Sequence, residues 1–166
     1  MEQGLRILGI DPGYAIVGCG LLDYQGGRFS TVGFGAITTE ASIPMPERLK
    51  TIYLELTGLM DTYSPDVLAV EKLYFTNNKT TGIDVAQARG VVLTVAALHG
   101  VPVYEYTPLQ VKQAVVGYGR AEKKQVMEMT RIILHLKEAP KPDDVCDALA
   151  IAVCHGHCTG SAGFSL

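Results

Sequence analysis

The stretch Arg6–Gly13, RILGIDPG, decides the fold that we predict for this chain of 166 residues. Its short apolar run, Ile7–Ile10, is rich in aliphatic and β-branched residues and is typical of a buried central strand. Asp11 follows this run directly, and Pro12-Gly13 then breaks the strand. An aspartate before Pro-Gly is also ordinary turn chemistry, and Asp11 alone is better explained in that way. Two acidic positions further along the chain favour a functional role.

The length and composition indicate one folded domain. Hydrophobic residues make up 48% of the chain and charged residues 19%, which is typical of a globular protein. We assign residues 1–157 to a single domain and residues 158–166 to a flexible C-terminal tail. With no signal peptide, no apolar run long enough to span a bilayer, and four cysteines, we expect a reduced, cytoplasmic protein.

The charges are distributed unevenly along the chain. A net charge of −3 argues by itself against a nucleic-acid partner. However, residues 112–141 contain seven Lys and Arg against three acids, and Asp143, Asp144 and Asp147 follow. This pattern fits a phosphate-binding surface beside a metal site. It also fits a solvated helix face, which is the better explanation of charge patterning alone.

The remaining pattern predicts an α/β fold with a five-stranded mixed sheet flanked by helices. Three strands form an antiparallel meander, and two later strands run parallel, because a helix precedes each of them. Glycines 18, 20, 33 and 35 indicate close packing or bulges. The predicted strands are Ile7–Ile10, Ile16–Asp23, Arg28–Thr38, Val67–Val70 and Val103–Tyr106. The predicted helices are Leu49–Tyr63, Gly82–Leu98, Pro108–Val116, Ala121–Leu136 and Asp143–Cys154, with a loop at Tyr74–Thr81.

Four carboxylates are expected to converge. Asp11 and Glu71 each follow a buried strand, so they lie side by side if the strands are neighbours. Asp144 and Asp147 are three residues apart and share one helix face, although capping explains an acid in a first helical turn equally well. Clustered carboxylates raise one another's pKa values unless a cation is present. An all-oxygen set favours Mg²⁺ or Mn²⁺ over zinc, and two such ions are a known solution for phosphodiester cleavage.

A series of motifs then resembles a known family. Taken in order from Leu8 to about His157, they resemble the RuvC-type Holliday junction resolvases. The motifs are IDPG at 10–13, VE at 70–71, QARG at 87–90, QVKQ at 110–113, VVG at 115–117, AEK at 121–123 and DVCDALA at 144–150.

The resemblance implies an RNase H-like fold and a Mg²⁺-dependent crossover junction endodeoxyribonuclease. Such an enzyme makes paired symmetric nicks with 5′-phosphate ends in four-way DNA junctions, in homologous recombination and DNA repair. It also implies a homodimer and a branch-migration motor complex as partner. The catalytic and metal-binding residues carried over are Asp11, Glu71, Asp144 and Asp147, with two Mg²⁺ per active site and Mn²⁺ as a substitute.

The family's DNA contacts carry over by position as well. Tyr74, with Phe75 beside it, takes the place of an aromatic that stacks on a base near the crossover. Lys112 and Lys123 match basic positions near the scissile phosphate, and Arg89, Arg120 and Lys124 are weaker candidates. From the residues alone, a loop aromatic packed on the body and solvated lysines explain these positions equally well or better. Asp143 receives no role.

Three other functions fit parts of the sequence. An actin-like ATPase or sugar kinase also begins with a strand and Asp-x-Gly, but it needs two such domains and a second phosphate loop. A catalytically silent RNase H-like DNA-binding module would be expected to lack one of the four acids. A zinc site at Cys154–Cys158 is disfavoured, because structural zinc pairs two separated knuckles and no second cysteine pair is present.

Overall fold

The computed structural model describes residues 4–73 and 79–160. Within those ranges the chain forms five strands and five helices. The strands are β1 (Leu5–Asp11), β2 (Ile16–Gln25), β3 (Arg28–Thr38), β4 (Val67–Glu71) and β5 (Val103–Tyr106). The helices are α1 (Met45–Tyr63), α2 (Lys79–Leu98), α3 (Pro108–Val116), α4 (Lys123–Ile133) and α5 (Asp143–Gly160).

The strands form one mixed sheet in the order β3-β2-β1-β4-β5. β1 and β2, and β2 and β3, pair antiparallel, whereas β4 pairs parallel with both β1 and β5. This confirms the five-stranded mixed sheet. β1 is the central strand, as its short, wholly apolar run Ile7–Ile10 indicates, because a strand covered on both faces needs no polar side.

The two faces of the sheet are covered by different helices, giving three layers. α1 and α2 pack on one face around Leu8, Ile10, Ile52, Leu68 and Val92. α3, α4 and α5 pack on the other face, where the buried residues include Ile7, Ala69, Tyr106, Val111, Val126 and Leu149. Successive side chains of a strand alternate between these faces. Asp11 therefore shares the α5 face with Ile7, and Glu71 shares it with Val67 and Ala69.

Glycines let α5 approach the sheet closely. A Cβ added at Gly18 would lie 2.0 Å from the carbonyl oxygen of Asp144, and one at Gly9 would lie 2.1 Å from that of Ala148. At Gly20 it would meet Leu149 Cδ2 at 2.6 Å. Any other residue at these positions would push the helix outward. The first turns of α5 are thus held against the ends of β1 and β2.

Gly33 and Gly35, which were also predicted to mark close packing or bulges, differ from Gly18 and Gly20. No atom lies within 4 Å of a Cβ built at Gly33 or Gly35, so close packing does not explain them. The β2–β3 register shifts between Leu21 and Leu22, which pair with Gly33 and Thr31. Val32 is left over, so a bulge lies beside Gly33, in agreement with one of the two interpretations.

Helix boundaries differ from the predicted ones in several places. α5 continues to Gly160 rather than ending at Cys154, because Gly156 and Gly160 make room for the rings of Phe29 and Tyr24. α4 ends at Ile133 because His135 has a left-handed φ of 53°. α1 begins at Met45, after Pro44, and α2 begins at Lys79, inside the predicted loop. Most of the predicted tail, residues 161–166, lies outside the described residues.

One sequence interpretation needs correction. The segment Thr81–Leu98 of α2 is long and apolar enough to cross a membrane by length and composition. In the structure this helix is part of the domain, with Ala88, Val92, Val95 and Ala96 buried against α1 and the sheet. Only 22% of the segment is buried, so most of its apolar surface lies on the outer side of the helix.

Candidate active site

Three chain segments bring four acids to one end of the sheet. Asp11 ends β1 and Glu71 ends β4, and the parallel register pairs the residues just before them, Ile10 with Val70. Asp144 and Asp147 lie in the first turns of α5, directly above this end. The predicted convergence of Asp11, Glu71, Asp144 and Asp147 is therefore present in the fold.

The electrostatics show that these acids interact as one cluster. Burial raises the pKa of Asp11 to about 7, with further contributions from Asp147, Glu71 and Asp144. Burial also raises the pKa of Glu71, and the negative charge of Asp147 adds to this effect. The pKa of Asp147 is raised by burial as well, although Lys123 opposes the shift. Desolvated carboxylates close to one another are unfavourable as a set of full charges.

Lys123 forms ion pairs with the acidic cluster. Its Nζ lies 3.3 Å from Asp147 Oδ2 and 3.8 Å from Asp143 Oδ2. Burial lowers the pKa of Lys123, but Asp147 and the neighbouring acids outweigh this effect and raise it overall. Asp143, for which no role was predicted, also pairs with Lys141 at 2.9 Å, so it lies among the lysines at the rim.

A cleft of about 270 Å³ opens beside the acids. Glu71 and Asp147 line it together with Lys112 and Lys123, and its walls are apolar residues of α3, α4 and α5: Pro108, Val111, Val126, Ala150 and Ile151. Carboxylates and lysines around one cleft can hold a divalent cation and a phosphate side by side. Lys112 and Lys123 thus lie next to the acids, as the sequence predicted.

The other candidate DNA contacts are placed differently. Arg89 forms a 2.9 Å ion pair with Glu105 and its side chain is only 14% exposed. Glu105 pairs with Val70 and precedes Tyr106, so it points to the face opposite Glu71. Arg89 is therefore not part of the acidic cluster. Arg120, in the turn before α4, and Lys124, in its first turn, are exposed and close in sequence to Lys123. Tyr74 and Phe75 lie outside the described residues.

A larger cleft of about 680 Å³ lies on the opposite face, between α1 and the strands β2 and β3. Its lining is mainly apolar and contains a single carboxylate, Glu55. Size alone would favour this cleft as the functional site. We assign the chemistry to the smaller cleft, because only that one combines perturbed carboxylates with lysines.

The carboxylate oxygens of Asp11, Glu71, Asp144 and Asp147 are the candidate metal ligands. Among residues 4–73 and 79–160, no three His, Cys, Asp or Glu side chains are arranged as ligands of one ion. One of the acids, Asp147, is paired with Lys123 instead, at 3.3 Å. The donors themselves are oxygens only, and they are partly desolvated. This set fits a hard divalent cation, which would remove the repulsion.

The Cys154–Cys158 stretch does not form a zinc site in the structure. Cys154 Sγ contacts the Gln110 carbonyl at 3.7 Å, His155 bonds Tyr106, and His157 bonds the Ala114 carbonyl. All four cysteines are free. These contacts of Cys154, His155 and His157 pack α5 against α3 and β5, while Cys158 is exposed.

Sequence reasoning missed part of the cleft. It did not identify the apolar walls Pro108, Val111 and Val126, nor the buried contact between Tyr106 and His155. One sequence signal could have indicated that Tyr106 lies near the cleft. It ends β5 directly before the capping box of Thr107 and Gln110, which starts α3.

Comparison with known proteins agrees with this picture. The model of the family described as crossover junction endodeoxyribonuclease RuvC matches residues 7–155. Two proteins with that name, from Brevibacillus brevis and Alkaliphilus metalliredigens, are 60% and 58% identical over 151 residues. The matches cover 91% of this chain and 91% and 92% of those proteins, respectively.

Solved structures give the same result. Thermus thermophilus RuvC is 36% identical with a TM-score of 0.88, covering 95% of this chain and 97% of that chain. The T. thermophilus RuvC structure in complex with Holliday junction substrate is 34% identical with a TM-score of 0.87, covering 95% and 96%. The yeast mitochondrial Holliday junction resolvase, 12% identical with a TM-score of 0.68 over 96% and 82%, shares the fold. The predicted RNase H-like fold is confirmed.

Proposed function

The chain belongs to the RuvC family of crossover junction endodeoxyribonucleases, and from this premise we propose that it resolves Holliday junctions. It does so by paired, symmetric nicks that leave 5′-phosphate ends, in homologous recombination and DNA repair. The observation that carries the proposal is the cluster of Asp11, Glu71, Asp144 and Asp147 beside Lys112 and Lys123. A catalytically silent DNA-binding module is disfavoured because all four acidic positions are filled.

RuvC-type proteins are metal-dependent nucleases, and the finer assignment of the cofactor is part of the proposal. Asp11, Glu71, Asp144 and Asp147 would hold two Mg²⁺ ions, with Mn²⁺ able to replace them. When bound, the ions supply activation of water and stabilisation of the leaving oxygen. Burial and then the neighbouring acids raise the pKa of Asp11, and a bound Mg²⁺ would favour its ionised form.

The basic residues of the cleft bind and orient the DNA backbone in this proposal. Lys112 and Lys123 contact the scissile phosphate from two sides of the cleft, since both line it together with Glu71 and Asp147. Lys123 pairs with Asp147 in the structure, and it would be available to the phosphate if Asp147 held a metal ion. Arg120 and Lys124 extend the contact along the backbone. Tyr74 and Phe75 stack on a base at the crossover, as predicted from the sequence.

We propose only a weak phosphate contact for Arg89. Its ion pair with Glu105 already satisfies part of the guanidinium charge. A buried Nε of Arg89 has no hydrogen-bond partner among the described residues. The pair supports α2 against β5 more directly than it supports DNA binding.

A homodimer is proposed through α2. The outer side of this helix carries exposed apolar residues, among them Ile83 and Leu98 with exposed fractions of 58% and 66%. Gly90 and Ala97 lie on the same side and are exposed, and a Cβ at Gly90 would meet nothing. Such a face is favourable for close packing against a second copy. Two active sites related by a two-fold axis match a junction that needs two symmetric cuts.

We also propose a branch-migration motor complex as partner and the cytoplasm as location. Both rest on the family. The free state of all four cysteines agrees with a reducing compartment.

The proposed function is tested with a synthetic four-way junction and a linear duplex of the same arm sequence. Nicks at symmetric positions in the junction, dependent on Mg²⁺ and absent from the duplex, are the expected result. Equal cutting of both substrates would contradict junction selectivity. Junction binding without cleavage at any Mg²⁺ concentration would favour the silent binding module.

A further inference from the structure

We propose that the hydrogen bond between Tyr106 and His155 positions Glu71 and the α3 wall of the cleft for metal binding. His155 and Tyr106 are positioning residues in this view, because neither lines the cleft. The inference deepens the proposed metal site and rests on it.

The hydrogen bond itself is buried and well formed. His155 Nδ1 lies 2.7 Å from the hydroxyl oxygen of Tyr106. His155 is 1% exposed and Tyr106 is 8% exposed, and the ring of Tyr104 covers the imidazole with a centroid distance of 4.6 Å. A buried polar pair of this kind costs little while intact, but losing one partner leaves the other unsatisfied.

Tyr106 reaches the acidic cluster through its backbone. Its Cα pairs with that of Glu71 across the parallel β4–β5 ladder, and its carbonyl accepts a 2.7 Å hydrogen bond from the N–H of Lys72. The peptide that follows Glu71 is therefore held by Tyr106. Two residues later Pro108 begins α3, which carries Lys112 into the cleft.

His155 connects the same residue to the opposite side of the site. It lies on α5, eight residues and about two turns after Asp147. The Tyr106–His155 bond is therefore a side-chain link between the helix that carries Asp144 and Asp147 and the strand end that supports Glu71. A metal ion bound by Glu71 on one side and by Asp144 and Asp147 on the other requires a fixed spacing between the strand end and the helix.

The chemistry of the pair suits a permanent link. Burial lowers the pKa of His155, so the imidazole stays neutral and keeps a ring nitrogen that can accept. Burial raises the pKa of Tyr106, so its hydroxyl keeps its proton and can serve as donor or acceptor to the imidazole. The hydrogen bond then persists over the whole range in which the carboxylates bind a cation.

The test uses Tyr106→Phe with Tyr104→Phe as matched control. Tyr104 is on the same strand and also packs on His155, but it is 46% exposed and its contact with the imidazole is a ring contact. The probe is Mg²⁺ alone, and the readout is the Mg²⁺ concentration that gives half of the metal-induced rise in Tm. We expect roughly a tenfold increase for Tyr106→Phe, as for other residues that support metal ligands, and no change for Tyr104→Phe.

A second variant separates positioning from stability. Tyr106→Phe combined with His155→Leu removes both polar groups, so no buried nitrogen is left unsatisfied. We expect the Tm without Mg²⁺ to recover, while the half-saturating Mg²⁺ concentration stays as high as in Tyr106→Phe. The junction-cleavage midpoint for Mg²⁺ should shift in parallel, with junction affinity in Ca²⁺ unchanged.

The outcomes distinguish this inference from the proposed function. A lower Tm for Tyr106→Phe with an unchanged Mg²⁺ midpoint would show a purely structural bond and overturn the inference alone. A double variant that regains the original midpoint would overturn it as well. If the unaltered protein shows no Mg²⁺-induced change in Tm, the metal site fails, and the inference fails with it.

Discussion

Replacing Asp11 by Asn should make the metal-free protein more stable at pH 8. The pKa of Asp11 is raised from 3.8 to about 7. At about 1.4 kcal/mol per pKa unit, this places a penalty of about 4 kcal/mol on the folded state above pH 7. A buried amide has its own desolvation cost of about 1–3 kcal/mol. The net gain expected for Asp11→Asn is therefore about 2 kcal/mol.

The sign of the pH dependence follows from the direction of the shift. Below pH 3.8 Asp11 is protonated in both states, so it contributes no penalty. As the pH rises towards 7, the unfolded chain loses its proton first, and the folded state becomes less stable relative to it. At pH 5 the penalty is about 1.6 kcal/mol. It is then no larger than the cost of the buried amide, so the gain from Asp11→Asn should disappear.

The assay is urea unfolding of both proteins in EDTA at pH 5 and pH 8, with a parallel series in Mg²⁺. We expect the free energy of unfolding of Asp11→Asn to exceed that of the unaltered protein at pH 8 only. The difference corresponds to a rise of about 4–8 °C in Tm. Mg²⁺ should stabilise the unaltered protein and have little effect on the variant. A variant that is less stable than the unaltered protein at pH 8 in EDTA would refute the reasoning, because Asp11 would then be a favourable structural group.

The other predictions concern cleavage, packing and assembly. Asp147→Asn should abolish junction cleavage and retain junction binding, measured by gel shift in Ca²⁺; an equal loss of binding would count against a metal-ligand role. Gly18→Ala should cost about 1–3 kcal/mol in urea unfolding, since its Cβ would lie 2.0 Å from a carbonyl oxygen of α5, whereas Gly33→Ala should be nearly neutral. Leu98→Glu should convert a dimer to a monomer in sedimentation, and an unchanged mass would exclude α2 as the interface. Tyr74→Ala should slow cleavage much more than Tyr74→Phe, and similar rates would exclude stacking.

The sequence was sufficient for the sheet and for the convergence of the acids at one end of it. Ile7–Ile10 and Val67–Val70 are wholly apolar, which indicated central strands, and an acid follows each of them. The helix between them predicted that the second strand runs parallel to a neighbour, and the register of Ile10 with Val70 shows that this neighbour is the first strand. Asp144 and Asp147 were identified from their spacing on one helix face.

Other features depend on contacts that no local pattern contains. The close approach of α5 is set jointly by Gly9, Gly18 and Gly20 on two strands. Lys123 lies at Asp147 because α4 and α5 pack together, although the two residues are 24 positions apart. Arg89 looked like a phosphate contact in sequence, but its orientation depends on Glu105 across the α2–β5 contact.

The ends of the helices were the least accessible to sequence reasoning. α4 stops where His135 takes a left-handed conformation, which a histidine rarely adopts. α5 continues past Cys154 because Gly156 packs under Phe29, a residue more than a hundred positions away. A glycine in that position looked like a helix end when only its neighbours in sequence were considered.

The most direct measurement of the central claim is anomalous scattering from Mn²⁺ in crystals of the protein with junction DNA. The account predicts Mn²⁺ bound between the carboxylates of Asp11, Glu71, Asp144 and Asp147, next to a phosphate of the junction. Mn²⁺ bound elsewhere, or a junction phosphate seated on Lys112 and Lys123 without any metal at these acids, would contradict it.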